Sequence, residues 1–321
     1  MQGGLHRIPA DNIPKSDRIF RRGGDMLEGS GPILVTGASS GIGRSIAERL
    51  SALGVDVFAT ARRDFDLASL SKLPGITPVR LDVTREDEIR QAISLVGSVG
   101  KGLYGLVNNA GIADLSPTID TSVEEMEQTL DVNLYGVHRM VRACFPLLRE
   151  SKGRIVNISS VNGVAAEKFA AAYSASKFAL EAYSEILREE LSGLGISVSV
   201  VEPGGFRSEI MAKSLARRTT ELATAYANSP NRDEFLKMMS EFCGTPDTMN
   251  RVNYPDPTRV AAAVVSALSS PSPKPRYLVG TKEEMDWTLS RVLRLLVQLS
   301  GPEGRGLTHE ELLDRVREAL T

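Results

Sequence analysis

The chain has 321 residues, 42% of them apolar and 24% charged, which suits one large α/β domain or two ordinary ones. Its formal net charge of −2 provides no basic field for nucleic acid. Cys144 and Cys243 stand far apart, and His6, His138 and His309 are isolated, so no metal site is expected. Two reduced thiols in a cytoplasmic protein are the simpler reading of the cysteines, a disulfide between them the alternative.

Residues 1–30 are polar and irregular, with no apolar run after a basic start to suggest a secretory signal. Arg18, Arg21 and Arg22 hint at organelle targeting, but Asp11, Asp17 and Asp25 argue against it; a disordered tail is expected. No stretch reaches the roughly eighteen uncharged apolar residues of a membrane span.

From Pro32 onward, short apolar runs alternate with helical patterns. Strands are expected over 32–36, 55–59, 77–83, 103–108, 154–159, 196–202 and 276–279. Helices are expected over 42–53, 123–149 and 174–194, among others. Such alternation predicts a doubly wound parallel sheet of about seven strands in a three-layer αβα domain, residues 31–281. Within it, the long Met-rich segment 205–257 breaks the rhythm and is expected to form a substrate lid. A helical extension, 282–321, follows. One helix there runs through Trp287, Val292, Leu295, Leu296 and Leu299. Another opens with a capping-box spacing at Thr308 and Glu311. Both are expected to pack on the body or on a partner subunit.

The turn after the first strand reads TGASSGIG, from Thr36 through Gly37, Ser39, Ser40, Gly41 and Ile42 to Gly43. Glycines at 37, 41 and 43 let backbone approach a pyrophosphate, and the following helix N-terminus offers free N–H groups to it. At the end of the second strand the run Ala59-Thr60-Ala61-Arg62-Arg63 has no carboxylate before Asp64. Arg62, helped by Arg63, would suit the extra phosphate of NADP(H), while NAD(H) stays possible; a pair of solvated loop arginines is the plainer alternative. Asp82, followed by Val83, ends the third strand where it could accept from an adenine amino group.

Tyr173 and Lys177 stand four apart, one turn apart on a single helix face. An ammonium beside a phenol is expected to lower its pKa from the usual value of about 10, giving a proton carrier. Ser159 and Ser160 end the fifth strand. Asn108, Asn109, Ala110 and Gly111 end the fourth, and Pro203-Gly204 ends the sixth, all at the edge where open α/β sheets bind ligands. Asn133 is a polar residue in mid-helix.

In this combination and order the motifs resemble the short-chain dehydrogenase/reductase family over about residues 33–280, and the two short segments Ala59-Thr60-Ala61-Arg62 and Lys274-Pro275-Arg276-Tyr277-Leu278-Val279-Gly280 are similar to the hydroxysteroid and retinol dehydrogenases within it. The resemblance implies a catalytic set of Asn133, Ser160, Tyr173 and Lys177, with Ser160 preferred to Ser159 because it lies thirteen positions before the tyrosine. It implies that Asn109, Ala110 and Gly111 border the cofactor, and that the segment from Pro203 and Gly204 through Phe206 to Ser208 faces the nicotinamide and its carboxamide. Lys177 would hold the nicotinamide ribose and lower the Tyr173 pKa. Asn133 would position a water linking Lys177 to solvent. The implied reaction is NADP(H)-dependent interconversion of an alcohol and a ketone or aldehyde, in a homodimer or homotetramer. A lipophilic substrate is expected from Phe206, Ile210, Met211, Leu215, Phe235, Leu236, Met238, Met239 and Phe242, which could equally be the lid's own small core. A nicotinamide-binding scaffold without turnover would be expected to lack Tyr173 or Lys177. Nucleotide-sugar epimerases and dehydratases usually carry GxxGxxG rather than GxxxGxG.

Overall fold

The computed structural model describes residues 30–206, 228–243 and 254–299, with isolated positions such as Leu27 and Tyr226 beside them. In chain order the elements are β1 (Ile33–Val35), α1 (Gly41–Ala52), β2 (Val57–Ala61), α2 (Asp64–Leu70), β3 (Ile76–Arg80), α3 (Glu86–Gly97), β4 (Gly105–Asn108) and α4 (Val123–Leu130). They continue with α5 (Gly136–Ser151), β5 (Arg154–Ile158), α6 (Ala171–Ser192), β6 (Ser197–Pro203), α7 (Arg232–Cys243), α8 (Thr258–Ser269), β7 (Arg276–Val279) and α9 (Lys282–Leu299).

The seven strands form one sheet in the order β3-β2-β1-β4-β5-β6-β7, every pair parallel. A parallel sheet is covered on both faces, which explains why Ile33, Leu34 and Val35 are buried without alternation. Ile33, Val35, Val57 and Ala59 pack with Ile46 and Leu50 of α1 and Val264 and Leu268 of α8. Leu34, Phe58 and Leu106 pack with Met140 of α5 and Leu180 and Leu187 of α6. Each fully buried valine, leucine, isoleucine or methionine among them contributes about 1.5–3 kcal/mol of transfer free energy. The expected three-layer doubly wound domain is therefore the observed one. Strand order reverses between β1 and β4, and that reversal opens a crevice at the carboxyl edge.

Two strands are shifted along the chain from their expected bounds, and a third, β4, is shortened to start at Gly105. β2 starts at Val57, since Asp56 is exposed, and it runs on through the fully buried Thr60 to Ala61. β3 stops at Arg80 rather than Val83, and its Pro78 is tolerated because β3 is an edge strand. The helix expected over 123–149 is divided: a π turn, Asp131–Tyr135, separates α4 from α5. The Ser122–Glu125 capping box starts α4.

Of the expected lid, only α7 and the residues around it are described; Ile210, Met211 and Leu215 lie outside the described residues, as does the side chain of Phe242. Phe235 and Met239 bury into a satellite core with Phe169 and Tyr226, and Met238 packs partly against it. In the C-terminal extension, Thr288 of α9 is buried and Trp287, Val292 and Leu296 of the expected apolar face are half-buried, whereas Leu295 is exposed. The Thr308–Glu311 capping box is present, with Thr308 N–H donating to Glu311 at 2.7 Å and Glu311 N–H to the Thr308 hydroxyl at 3.2 Å. No helix among the described residues is long and apolar enough to cross a membrane.

Candidate active site

The glycine-rich turn is bolted to the end of β4. Thr36 Oγ1 accepts from the N–H groups of Asn109 and Ala110, at 2.9 and 3.0 Å. Asn109 Nδ2 donates back to the Thr36 and Gly37 carbonyls, at 2.9 and 3.0 Å. Gly37 has φ +64°, and a Cβ there would stand 2.8 Å from Ala110 Cα, so no side chain fits. Ser40 at the α1 N-cap makes no side-chain cap bond, and the first turn carries no acidic residue. The N-terminal amides of α1 thus face a cleft of about 1160 Å³, lined by Gly37, Ser39, Ser40, Gly41, Ile42 and Gly43 among others. That donor set suits an anion.

At the other end of the same cleft the structure brings together Ser160, Tyr173 and Lys177. α6 begins at Ala171, so Tyr173 sits in its first turn with Lys177 one turn on; just before the helix, Phe169 adopts a left-handed φ of +65°. The Lys177 ammonium lies 5.7 Å from the Tyr173 ring centroid, and its Nζ donates to the Ile158 carbonyl at 2.8 Å. Burial pushes Lys177 down to about 8, opposed by the Glu181 carboxylate one turn further along. Tyr173 departs from expectation: burial moves it up from its ordinary value, a hydrogen bond with Ser160 opposes the rise, and Glu167 adds to it. Lys177 therefore does not bring this phenol below its usual range.

Ser160 Oγ accepts from Asn162 N–H at 3.1 Å and lies 3.5 Å from the Pro203 carbonyl. Ser159 Oγ is buried without a hydrogen-bond partner among the described residues, close to Gly163. Ser160, and not Ser159, is the serine that lowers the Tyr173 pKa against burial. Asn133 is buried in the π turn between α4 and α5. Its Oδ1 accepts from Ile112 N–H, and its Nδ2 donates to the Ile112 carbonyl and to Ser176 Oγ, each at 2.9 Å. With both amide protons used, this buried side chain clasps the β4 exit to α6.

The chain matches the model of the short chain dehydrogenase family over residues 32–219. It is 34% identical to rat (Rattus norvegicus) mitochondrial D-beta-hydroxybutyrate dehydrogenase over 289 residues, 84% of this chain and 82% of the relative. It is 33% identical to human (Homo sapiens) retinol dehydrogenase 5 over 268 residues, 79% of this chain and 82% of the relative. The chain belongs to the short-chain dehydrogenase/reductase family. Among solved structures, it is similar to an actinorhodin polyketide ketoreductase with NADPH, at TM-score 0.64 and 28% identity over 79% of this chain and 96% of that one. As a short-chain dehydrogenase/reductase it is an NAD(P)-dependent oxidoreductase acting on CH–OH groups.

On the β2–β3 side of this short-chain dehydrogenase/reductase, Arg62, Asp82 and Val83 line the cleft, but Arg63 does not. Arg63 pairs with Asp66 at 2.8 Å and stacks over the Phe65 ring. Arg62 is 62% exposed and reaches Asp82 at 3.4 Å. Burial works to raise the Asp82 carboxyl, but hydrogen bonds from Thr84 and the Arg62 charge hold it below its ordinary value. Sequence reasoning overlooked Arg44, which lines the cleft from the first turn of α1 and also bonds Glu48 and Ser69. At the opposite end Ala110, Gly111, Pro203, Gly204 and Phe206 line the cleft, while Ser208 lies outside the described residues. Lys168, Tyr254, Glu284 and Trp287 also line it without having been singled out; the apolar periodicity of α9 pointed to Trp287 only as a packing residue.

Proposed function

We propose that the chain interconverts a secondary alcohol and a ketone, or a primary alcohol and an aldehyde, on a lipophilic substrate with NADP(H), Tyr173 being the acid/base. The observation that carries this reading is the convergence of Ser160, Tyr173 and Lys177 in the same cleft as the α1 N-terminus and Arg62. A dinucleotide with its pyrophosphate on the glycine turn has its adenosine half over β2 and β3, against Arg62 and Asp82. Its nicotinamide half then extends over β4, β5 and β6, toward Ser160, Tyr173 and Pro203. The cleft exceeds the ~300–1,000 Å³ usual for one small ligand, which leaves room for a second molecule. Leu115, Phe206, Met238 and Trp287 give that remaining space an apolar wall.

When bound, the nicotinamide would supply the hydride in reduction and accept it in oxidation. Ser160 and Tyr173 would donate hydrogen bonds to the substrate carbonyl oxygen, polarising it. Tyr173, held protonated by burial, gives its proton to that oxygen. The Lys177 ammonium stabilises the phenolate left behind. Asn133 keeps the β4 exit and α6 in register, so the tyrosine and the cofactor wall stay aligned. Residues 31–281 form the catalytic domain in this reading, with 205–257 as its lid and 282–321 as an extension.

The test is a fluorescence titration of the pure protein with NADPH and NADH, in the parent and in Arg62→Ala. Arg62 supplies a charge-assisted contact to a 2′-phosphate, so the variant is expected to lose about tenfold in NADPH affinity with NADH little changed. An unchanged ratio removes Arg62 from a phosphate site, and tighter NADH binding by the parent overturns the NADP(H) assignment. A homo-oligomer joined through α4, α5 and α6 belongs to the same proposal. Val123, Phe178 and Ile186 stand exposed on those helices at 67%, 41% and 58%. Light scattering should give a dimer or tetramer; a monomer at micromolar concentration would refute it.

A further inference from the structure

The turn that leaves β6 is held from outside the domain's main crossover pattern by one carboxylate on α9. Glu284 Oε1 accepts from Gly205 N–H at 2.6 Å, and its Oε2 accepts from Thr281 N–H at 2.8 Å. Glu284 N–H in turn donates to Thr281 Oγ1 at 3.2 Å, closing a capping box that starts α9. Three glycines wrap this carboxylate. A Cβ at Gly204 would fall inside it, one at Gly205 would stand 3.0 Å from Oε1, and one at Gly280 would stand 3.0 Å from Oε2. Gly204 N–H also donates to the Val279 carbonyl at 2.8 Å, which ties the same turn to β7. A Cβ at Gly205 would in addition meet the Tyr254 ring at 2.8 Å.

A capping acid satisfies amides of its own helix and is ordinarily an exposed surface feature. Here one of the two oxygens is diverted to an amide 79 positions away in the chain. That amide belongs to the turn carrying Pro203, Gly204 and Phe206, which borders the cleft beside Ser160; the Ser160 hydroxyl lies 3.5 Å from the Pro203 carbonyl. Glu284 itself lines the cleft together with Tyr254 and Trp287. The carboxylate therefore sits where the end of β6, the start of α9 and the substrate-side wall meet.

We infer that Glu284 is a positioning residue for the nicotinamide half of the cofactor site: it fixes the turn after β6 and couples it to α9. The inference rests on the cofactor orientation of the proposed function. It concerns only the end of the cleft away from the glycine turn, so its consequences fall on one half of the dinucleotide. A carboxylate offers an acceptor to both N–H groups, whereas an amide has only one acceptor oxygen. In Glu284→Gln, either Gly205 N–H or Thr281 N–H must face an NH₂ group.

The test compares binding of the whole cofactor with binding of its nicotinamide-free fragment. The parent protein is titrated with NADPH and with 2′-phospho-ADP-ribose, or with NADH and ADP-ribose if NADH binds tighter. Glu284→Gln is expected to weaken the whole cofactor about tenfold and to leave the fragment unchanged within about twofold. Thr281→Val removes the hydroxyl half of the capping box without touching Gly205, and is expected to leave both ligands unchanged. If Glu284→Gln does not fold, Glu284→Asp withdraws the carboxylate by one methylene and carries the same expectation. Equal weakening of cofactor and fragment, no weakening of either, or the same loss in Thr281→Val would each overturn the inference. Failure of the parent to bind any whole nicotinamide cofactor would instead bring down the cofactor reading, and the inference with it.

Discussion

Tyr173→Phe is expected to lose about 10²–10⁴-fold in turnover while still binding the nicotinamide cofactor, because only the proton donor is removed. The phenol is half-buried in the first turn of α6, and its ring packs 5.7 Å from Lys177 Nζ. Phenylalanine keeps the ring and therefore the packing. What disappears is one O–H, the group that would donate to the carbonyl oxygen as the hydride arrives. Ser160 can still polarise the carbonyl, but its own proton is poorly placed to leave: its hydroxyl accepts from Asn162 and lies toward Pro203. The loss should appear equally in kcat and kcat/KM for the carbonyl substrate, with the cofactor dissociation constant nearly unaltered. Steady-state kinetics beside a fluorescence titration separates the two quantities. Turnover within a few-fold of the parent would remove Tyr173 from the chemistry.

Much of this architecture was legible because parallel strands buried on both faces must be apolar throughout, as the run Ile33-Leu34-Val35 is. The second strand misled by two residues because Thr60 reads as polar. It is nevertheless fully buried, since its hydroxyl accepts from Gly37 N–H at 3.2 Å and so serves the cofactor turn. The π turn at Asp131–Tyr135 left no periodic signature in the sequence. It coincides with Asn133, whose hydrogen bonds run to Ile112 and Ser176, partners that only the folded chain brings near. Glu284 was invisible for a related reason. An acid in the first turn of a helix already has an adequate local explanation, and nothing in the sequence marks the distant Gly205 amide as its second partner. Arg62 and Arg63 are chemically identical neighbours, so the sequence could not say which turns toward the cleft. Asp66, three residues beyond Arg63, decides it.

Replacing Lys177 by methionine is expected to cost about 10²-fold or more in turnover and to abolish a pH dependence that the parent should display. Burial brings this ammonium down to about 8, so it is charged at neutral pH and loses its charge as pH rises through that value. In reduction Tyr173 ends the step as a phenolate, and the neighbouring cation lowers the free energy of that state. The reductive kcat/KM should therefore hold steady below about 8 and fall above it. Oxidation makes the opposite demand. It needs the phenol deprotonated at the outset, and burial holds Tyr173 above its ordinary value, so the oxidative rate should climb as pH rises. The two directions thus bend in opposite senses, with opposite signs of charge responsible. Methionine matches the stem of lysine in length and apolar character but brings no charge, so the Lys177→Met profile for reduction should lose its bend and lie low throughout. It also leaves the Ile158 carbonyl without its 2.8 Å donor, and a modest fall in melting temperature should accompany the kinetic loss. A parent profile that stays flat through the same range, or a variant that retains the bend, would take Lys177 out of the charge-stabilising role and leave only its hydrogen bond to the strand.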